Sequence, residues 1–331
     1  MRPLIVKAPR VIGRITAAEL GVVINLADPY SVEVGQYYVQ QRKIPAANVL
    51  WLELPVQAQL SVSEYEGLSR RIEAHFGTQV QGLALAWMKP YAVSCMSITG
   101  ALAFGIDEAL CQSTCSKTTL SPYFNSASGQ PFRDHGMRPS MLLAAGSVAQ
   151  ARQLIDRGIT ADGSLGLRGA IPVDAWFMAT QDGARNVRSV LFPPPGLIGR
   201  MGVNVHVAAG DLPRGEQRLL MVQTGLPVLS GLESLSWVPG AMGDHLTSFG
   251  GLLDQTTGQT KALAWIDAGA TASYGTVSEP CNHLQKFPHP QLALLHYLQG
   301  STVLEAYWKS VAWPQQGVFI GEPLAAPFAR Q

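Results

Sequence analysis

The sequence predicts an α/β fold, a doubly wound and mostly parallel sheet flanked by helices. Three observations carry that expectation. Short apolar runs alternate along the chain with helix-like segments, the pattern of consecutive βα units. One run, Val80 to Met88, is nearly all apolar with no alternation, as in a strand covered on both faces of a parallel sheet. Of the 331 residues, 47% are hydrophobic and only 14% charged, a globular composition able to bury a large core. One domain spanning 1–331 is expected, because no charge run, Ser/Gly tract or Pro-rich linker divides the chain.

The elements follow in order. Gly21 to Leu26 is a β-branched run. Asp28-Pro29-Tyr30-Ser31 then supplies turn and cap chemistry for a helix from about Val32 to Arg42. Ile44-Pro45 breaks that helix, Val49 to Leu54 is the next strand, and Ser61 or Ser63 starts a helix reaching about Phe76. Val80 to Met88 is the third strand, expected near the centre of the sheet. From Pro90 to Arg138 periodicity fades into Gly, Ser, Pro, Asn and Cys, so a long irregular insertion near 90–138 is expected outside the sheet, where long ordered loops usually carry function. Pro139 to Ala145 is a strand, Val148 to Arg157 a helix, and Val203 to Ala208 and Leu219 to Thr224 are further strands. Ala262 to Ala268 is a helix, Ala272 to Val277 a strand, and Gln291 to Leu298 with Thr302 to Val311 are closing helices.

Charge excludes some partners. The formal net charge is +1, from 24 Lys and Arg against 23 Asp and Glu. They are scattered, so no basic stripe marks a nucleic-acid or anionic-lipid surface. No phosphate-cradling G-x-x-x-x-G-K or G-x-G-x-x-G motif is present, so no nucleotide cofactor is expected. The apolar runs stop short of the roughly 20 residues a membrane helix needs. The stretch from Met1 to Leu26 interleaves basic residues with short apolar pieces and lacks the apolar core of a signal peptide. Either a cytoplasmic protein or one relieved of a leader is compatible with it, and oligomeric state is left open.

Four cysteines are too few for a disulfide scaffold at this length. Cys111 and Cys115, in C-x3-C spacing, suggest a small disulfide loop in an oxidising compartment or half of a metal site. Two unpaired thiols are an equal alternative.

Two segments concentrate reactive side chains at the expected carboxyl ends of strands, where parallel sheets bind ligands. Pro239 to Gly251 holds Asp244, His245 and Ser248, an acid, an imidazole and a hydroxyl within five residues. Its plainer reading is a cap and turn before the next helix. Gly275 to His283 holds Glu279 and Cys281. Cys281 with His245 suggests a Cys/His dyad, against the plainer reading of a packed small residue. Glu279 suits a general base or an exposed loop acid. These two segments are expected to border one crevice, with His245 facing Glu279. Lesser candidates are Asp156-Arg157-Gly158, Asp162-Gly163 and the run from Asp182 to Arg188, where Arg185 and Arg188 would clamp a carboxylate if they converged.

The blocks GVVINLADPYSVEVGQYYVQQRKIPAANV, PSMLLAAG, LIDRGITADG, GDHLTSFGG, AGATASYGTVSEP and FIGEPLAAPF resemble those of a widespread bacterial family of unassigned activity. That family accompanies exosortase and PEP-CTERM sorting systems. The last third is more distantly similar to caspase-like peptidases, including gingipains and CHAT domains. The similarity rests on an AGA-like helix end, a strand, a loop and a G-S-T-x-x-E-A helix at Gly300 to Ala306. It implies a caspase-like three-layer architecture. Those peptidases use a His-Gly loop and a Cys at successive strand ends, whereas His245 is followed by Leu246 and no strand-Ala-Cys-Gly element precedes the AGA block. The resulting expectation is a non-catalytic binding or surface-assembly module that recognises a peptide or protein. The alternative is a hydrolase or transferase whose crevice is formed by the 240–251 and 275–283 loops.

Overall fold

The computed structural model describes residues 5–215 and 217–330; the first four residues of the amino-terminal stretch lie outside it. The first half opens as β1 (Leu20–Asn25), α1 (Pro29–Arg42), β2 (Val49–Leu52), β3 (Gln59–Leu60), α2 (Val62–His75) and β4 (Gly82–Leu85). Local chemistry sets the helix starts. The Asp28 side chain accepts from Tyr30 N–H with Pro29 at the first helical position, and Ser61 and Glu64 form a reciprocal capping box. Tyr65, Leu68 and Ile72, spaced three and four apart, bury one stripe of α2.

Next come β5 (Ala92–Val93), β6 (Met96–Ser97), α3 (Ile98–Phe104), α4 (Glu108–Gln112), α5 (Pro131–His135) and β7 (Ser140–Leu142). The second half runs α6 (Val148–Ala161), β8 (Val173–Ala179), β9 (Gly196–Ile198), β10 (Val203–Ala209), β11 (Leu219–Thr224), β12 (Trp237–His245), α7 (Leu263–Asp267), β13 (Ala272–Thr276), α8 (Pro290–Leu298), α9 (Val303–Trp308) and β14 (Gly317–Gly321).

Eleven strands make one sheet in the order β2-β1-β4-β7-β14-β13-β12-β11-β8-β10-β9. Neighbours are parallel except at β13–β14 and β9–β10. The predicted mostly parallel, helix-flanked sheet is therefore present, with one addition. Because β14 is antiparallel to β13 and parallel to β7, β1, β2, β4 and β7 run opposite to β8 and β10 through β13. The carboxyl ends of the two halves thus lie on opposite edges.

All four residues of β4 are buried, which requires cover on both faces of the strand. It sits between β1 and β7 rather than at the centre, which β13 occupies. The sequence reading missed β8 and β14. The former alternates buried and half-buried positions over a Trp-containing stretch, and the latter is five residues bounded by glycines. One core cluster extends from Ile15 to Phe328.

The 90–138 segment lies outside the large sheet, yet it is not irregular throughout. It supplies β5 and β6 to a small β3-β5-β6 sheet, and α3 buries Ile98 through Ala101. The C-x3-C reading is corrected here. Cys111 pairs with Cys95 and Cys115 with Cys281, leaving no free cysteine. Cys115 lies after α4, in a turn where the loop beyond β13 approaches it: His283 Nε2 lies 2.8 Å from the Cys115 carbonyl, and Ser278 Oγ donates to the Cys95 carbonyl at 2.6 Å. Tertiary approach therefore decides the pairing. Among the described residues no cluster of His, Cys, Asp and Glu could hold a metal ion, and no helix is long and apolar enough to cross a membrane.

Candidate functional site

The motif around Asp244 is half strand and half loop. β12 extends through His245, so Asp244 and His245 belong to the sheet and only Leu246 onward forms the turn. Successive strand residues point to opposite faces, and the two side chains accordingly enter different surroundings.

Asp244 is 1% exposed and meets a buried cation. Arg188, from the crossover between β8 and β9, binds one carboxylate oxygen, while Gln223 Nε2 at 2.8 Å and Tyr307 Oη at 3.4 Å donate to the other. Arg188 also donates to the Thr224 carbonyl at 2.9 Å. The suggested arginine clamp is thus half realised. Arg188 holds a carboxylate of this chain, and Arg185 turns to Asp182 instead.

His245 is 1% exposed and uses both ring nitrogens. Trp265 Nε1–H donates to Nδ1 at 2.9 Å, so Nε2 carries the proton and donates to the Thr260 carbonyl at 3.0 Å. Burial pushes its pKa down to about 3, opposed by the Thr260 contact and aided by Arg188 and Arg185. The ring is fixed as a neutral structural linker between β12 and α7.

The two loops do converge, by packing together. Thr276 Oγ1 donates to the carbonyls of Thr247 and Ser248 at 3.1 and 2.8 Å, and Gly251 N–H donates to the Thr276 carbonyl at 2.9 Å. The approach demands glycine. A Cβ on Gly275 would lie 2.4 Å from the Gly250 carbonyl carbon, and one on Gly251 would lie 2.6 Å from the Gly275 oxygen.

Ser248 is 8% exposed and contributes its backbone carbonyl here. Glu279 accepts from the Cys281 N–H at 2.8 Å. Cys281 is a disulfide sulfur and has no thiolate to offer. No hydrogen bond or ion pair joins His245 to Glu279 among the described residues.

Open space lies to one side of this closed edge. Between the crossovers after β11 and β12, a cleft of about 720 Å³ is lined by Leu229, Leu232, Glu233, Leu253, Lys261 and Asp267, among others. The two walls are tied by Thr260 N–H to the Pro227 carbonyl and by Leu229 N–H to Thr260 Oγ1, both 2.8 Å. Sequence reasoning missed this cleft because its walls are ordinary loop residues. It also missed Gln223, Thr260, Trp265 and Tyr307, which only the fold brings to the motif. The reading that the sequence holds no His-Gly pair is corrected here: His135-Gly136 is one, though it lies before β7 rather than beyond a strand end.

No protein-family model matches the sequence, and no curated protein matches it. Two solved structures resemble the fold. One, described as the structure of a protease, is 9% identical, with 95% of this chain and 79% of that chain covered at a TM-score of 0.54. The other, the Arg-specific cysteine proteinase gingipain R, is 11% identical, with 96% and 79% covered at a TM-score of 0.43. The likeness to the first is one of fold alone: a large, mostly parallel sheet flanked by helices.

Proposed function

We propose that the chain is a caspase-like module that binds a peptide or protein beside its β11–β13 edge and performs no chemistry with the 240–251 and 275–283 loops. The observation that supports this most is His245, whose two nitrogens are both engaged and whose ring is held neutral. A hydrolase or transferase built on these loops would need a free imidazole, carboxylate or thiol. His245 is enclosed, Asp244 is neutralised by Arg188, and Cys281 is oxidised. The neighbouring cleft offers leucines for an apolar side chain and Glu233, Asp267 and Lys261 for orientation, the mixed lining of a recognition site.

A fluorogenic peptide library tests the reading in both directions. Binding is expected without turnover, and charge reversal by Lys261→Glu should weaken it while leaving the melting temperature within a few degrees. Peptide cleavage lost in His245→Ala, in a variant shown to be folded, would overturn the proposal.

A further inference from the structure

A second cleft, of about 970 Å³, opens at the amino ends of β1 and β7, where the segments 12–19 and 126–135 face each other. On its wall Ser126 Oγ and His135 Nε2 stand 3.0 Å apart. Both are placed by backbone. Ser126 N–H donates to the Tyr123 carbonyl at 3.2 Å. The preceding Asn125 is left-handed at φ 51° and is pinned by its N–H to the Lys309 carbonyl at 2.8 Å. His135 closes α5, whose first turn is held by Gln81 Oε1 accepting from Phe132 N–H and Arg133 N–H at 3.1 and 3.2 Å.

Ser128 N–H donates to Ser126 Oγ at 3.1 Å, and the Ser126–His135 contact takes its direction from the imidazole tautomer: in the tautomer with Nδ1 protonated, Nε2 accepts the Ser126 hydrogen. Ala127, the next residue and also on the cleft wall, has a backbone N–H with no partner among the described residues. Arg14 lines the same cleft and forms no ion pair among the described residues.

We propose that Ser126 and His135 form a nucleophile–base dyad that hydrolyses carboxylic esters of small polar acyl groups. As Oγ bonds to the ester carbonyl carbon, the Ser126 proton passes to Nε2, and the Ala127 N–H donates to the developing oxyanion. The carbon–oxygen bond to the alcohol breaks, and the alcohol departs with the proton from Nε2. Water then adds to the acyl-serine, its proton passing through Nε2 back to Ser126 Oγ as the carboxylic acid leaves. Esters fit better than amides because no carboxylate accepts from His135 Nδ1 among the described residues, so the imidazolium lacks the partner that assists expulsion of an amine. Arg14 and Gln130 in the lining offer a polar anchor for a short acyl group. This site shares no residue with the binding edge, so either reading stands or falls without the other.

The test is labelling by a small fluorophosphonate, located by peptide mapping, beside hydrolysis of p-nitrophenyl acetate. Ser126 should carry the label. Ser126→Ala and His135→Ala should lower enzymatic hydrolysis by about 10²- to 10⁴-fold with melting temperatures near that of the parent. If either variant misfolds, Ser126→Cys supplies the second readout: iodoacetamide should alkylate Cys at 126 faster with His135 present than with His135→Gln added. An unlabelled Ser126 in the folded parent, labelling indifferent to His135, or alkylation indifferent to it would each overturn the proposal.

Discussion

Two regions of this protein place a histidine near hydroxyl groups at or before a strand end, and the fold treats them in opposite ways. At the last residue of β12, His245 is enclosed between Trp265 and Thr260, and the loops around it interlock through Gly250, Gly251 and Gly275. Before β7, His135 bonds Ser126 through Nε2, has no partner at Nδ1 among the described residues, and lines an open cleft. The first region is the denser in reactive residue types, yet its polar groups are consumed by one another. A buried acid, arginine and imidazole must be paired to be tolerated at all. At the surface a Ser–His pair is under no such demand and is left available.

If the closed region is structural, its disruption should cost far more than disruption of the open one. The largest effect is expected from Cys115→Ser with Cys281→Ser. That crosslink spans 166 residues and ties the 114–115 turn to the loop beyond β13, so the double variant should lose up to about 5 kcal/mol in denaturant titration by the loop-entropy estimate. Unchanged stability would detach this loop from the closed region.

Asp244→Ala comes next. It strands Arg188, whose side chain is 2% exposed, and should cost about 3–5 kcal/mol. A loss below about 1 kcal/mol would mean that the carboxylate is spared for other work.

Acid should act on the buried histidines too, of which His245 lies in the closed region, His289 just before α8 and His296 within it. Burial holds His245 and His296 down to about 3 and His289 to about 4, against about 6.5 in an unfolded chain. Below about pH 6.5 the unfolded chain therefore binds more protons than the folded one. Stability should fall as pH drops from about 6.5 toward 3 to 4, and be fully present above that window. Urea melts at pH 7 and 5 should differ by about 2 kcal/mol for each such histidine, and His245→Gln should flatten the slope. A slope unaffected by that change would place protonation elsewhere.

The smallest effect belongs to the open region. Ser126→Ala should shift stability by less than about 1 kcal/mol. A larger loss would show the Ser126–His135 bond to be a structural tie like that of His245.

Much of the scaffold was legible. The Ser61–Glu64 box, the Asp28 cap and the β-branched runs announced α1, α2, β1 and β2 through local chemistry that needs no distant partner. Strands β8 and β14 escaped because short, flanked or half-buried strands leave no periodic signature of their own. The site was less legible for a related reason. The motif GDHLTSFGG shows which groups are present, but not that β12 continues through His245 and sends Asp244 to Arg188, 56 positions away.

By itself the sequence determined the α/β class, the excursion after β4 and the capped helices, since apolar periodicity and turn chemistry act between near neighbours. Tertiary structure alone decided which cysteines join, that β14 enters between β7 and β13 and sets the two half-sheets in opposite directions, and that His245 is sealed while His135 is open. Those outcomes depend on contacts that local periodicity does not encode, from the 15 positions between His245 and Thr260 to the 166 between Cys115 and Cys281, and their free energy arises only when the segments are already packed side by side.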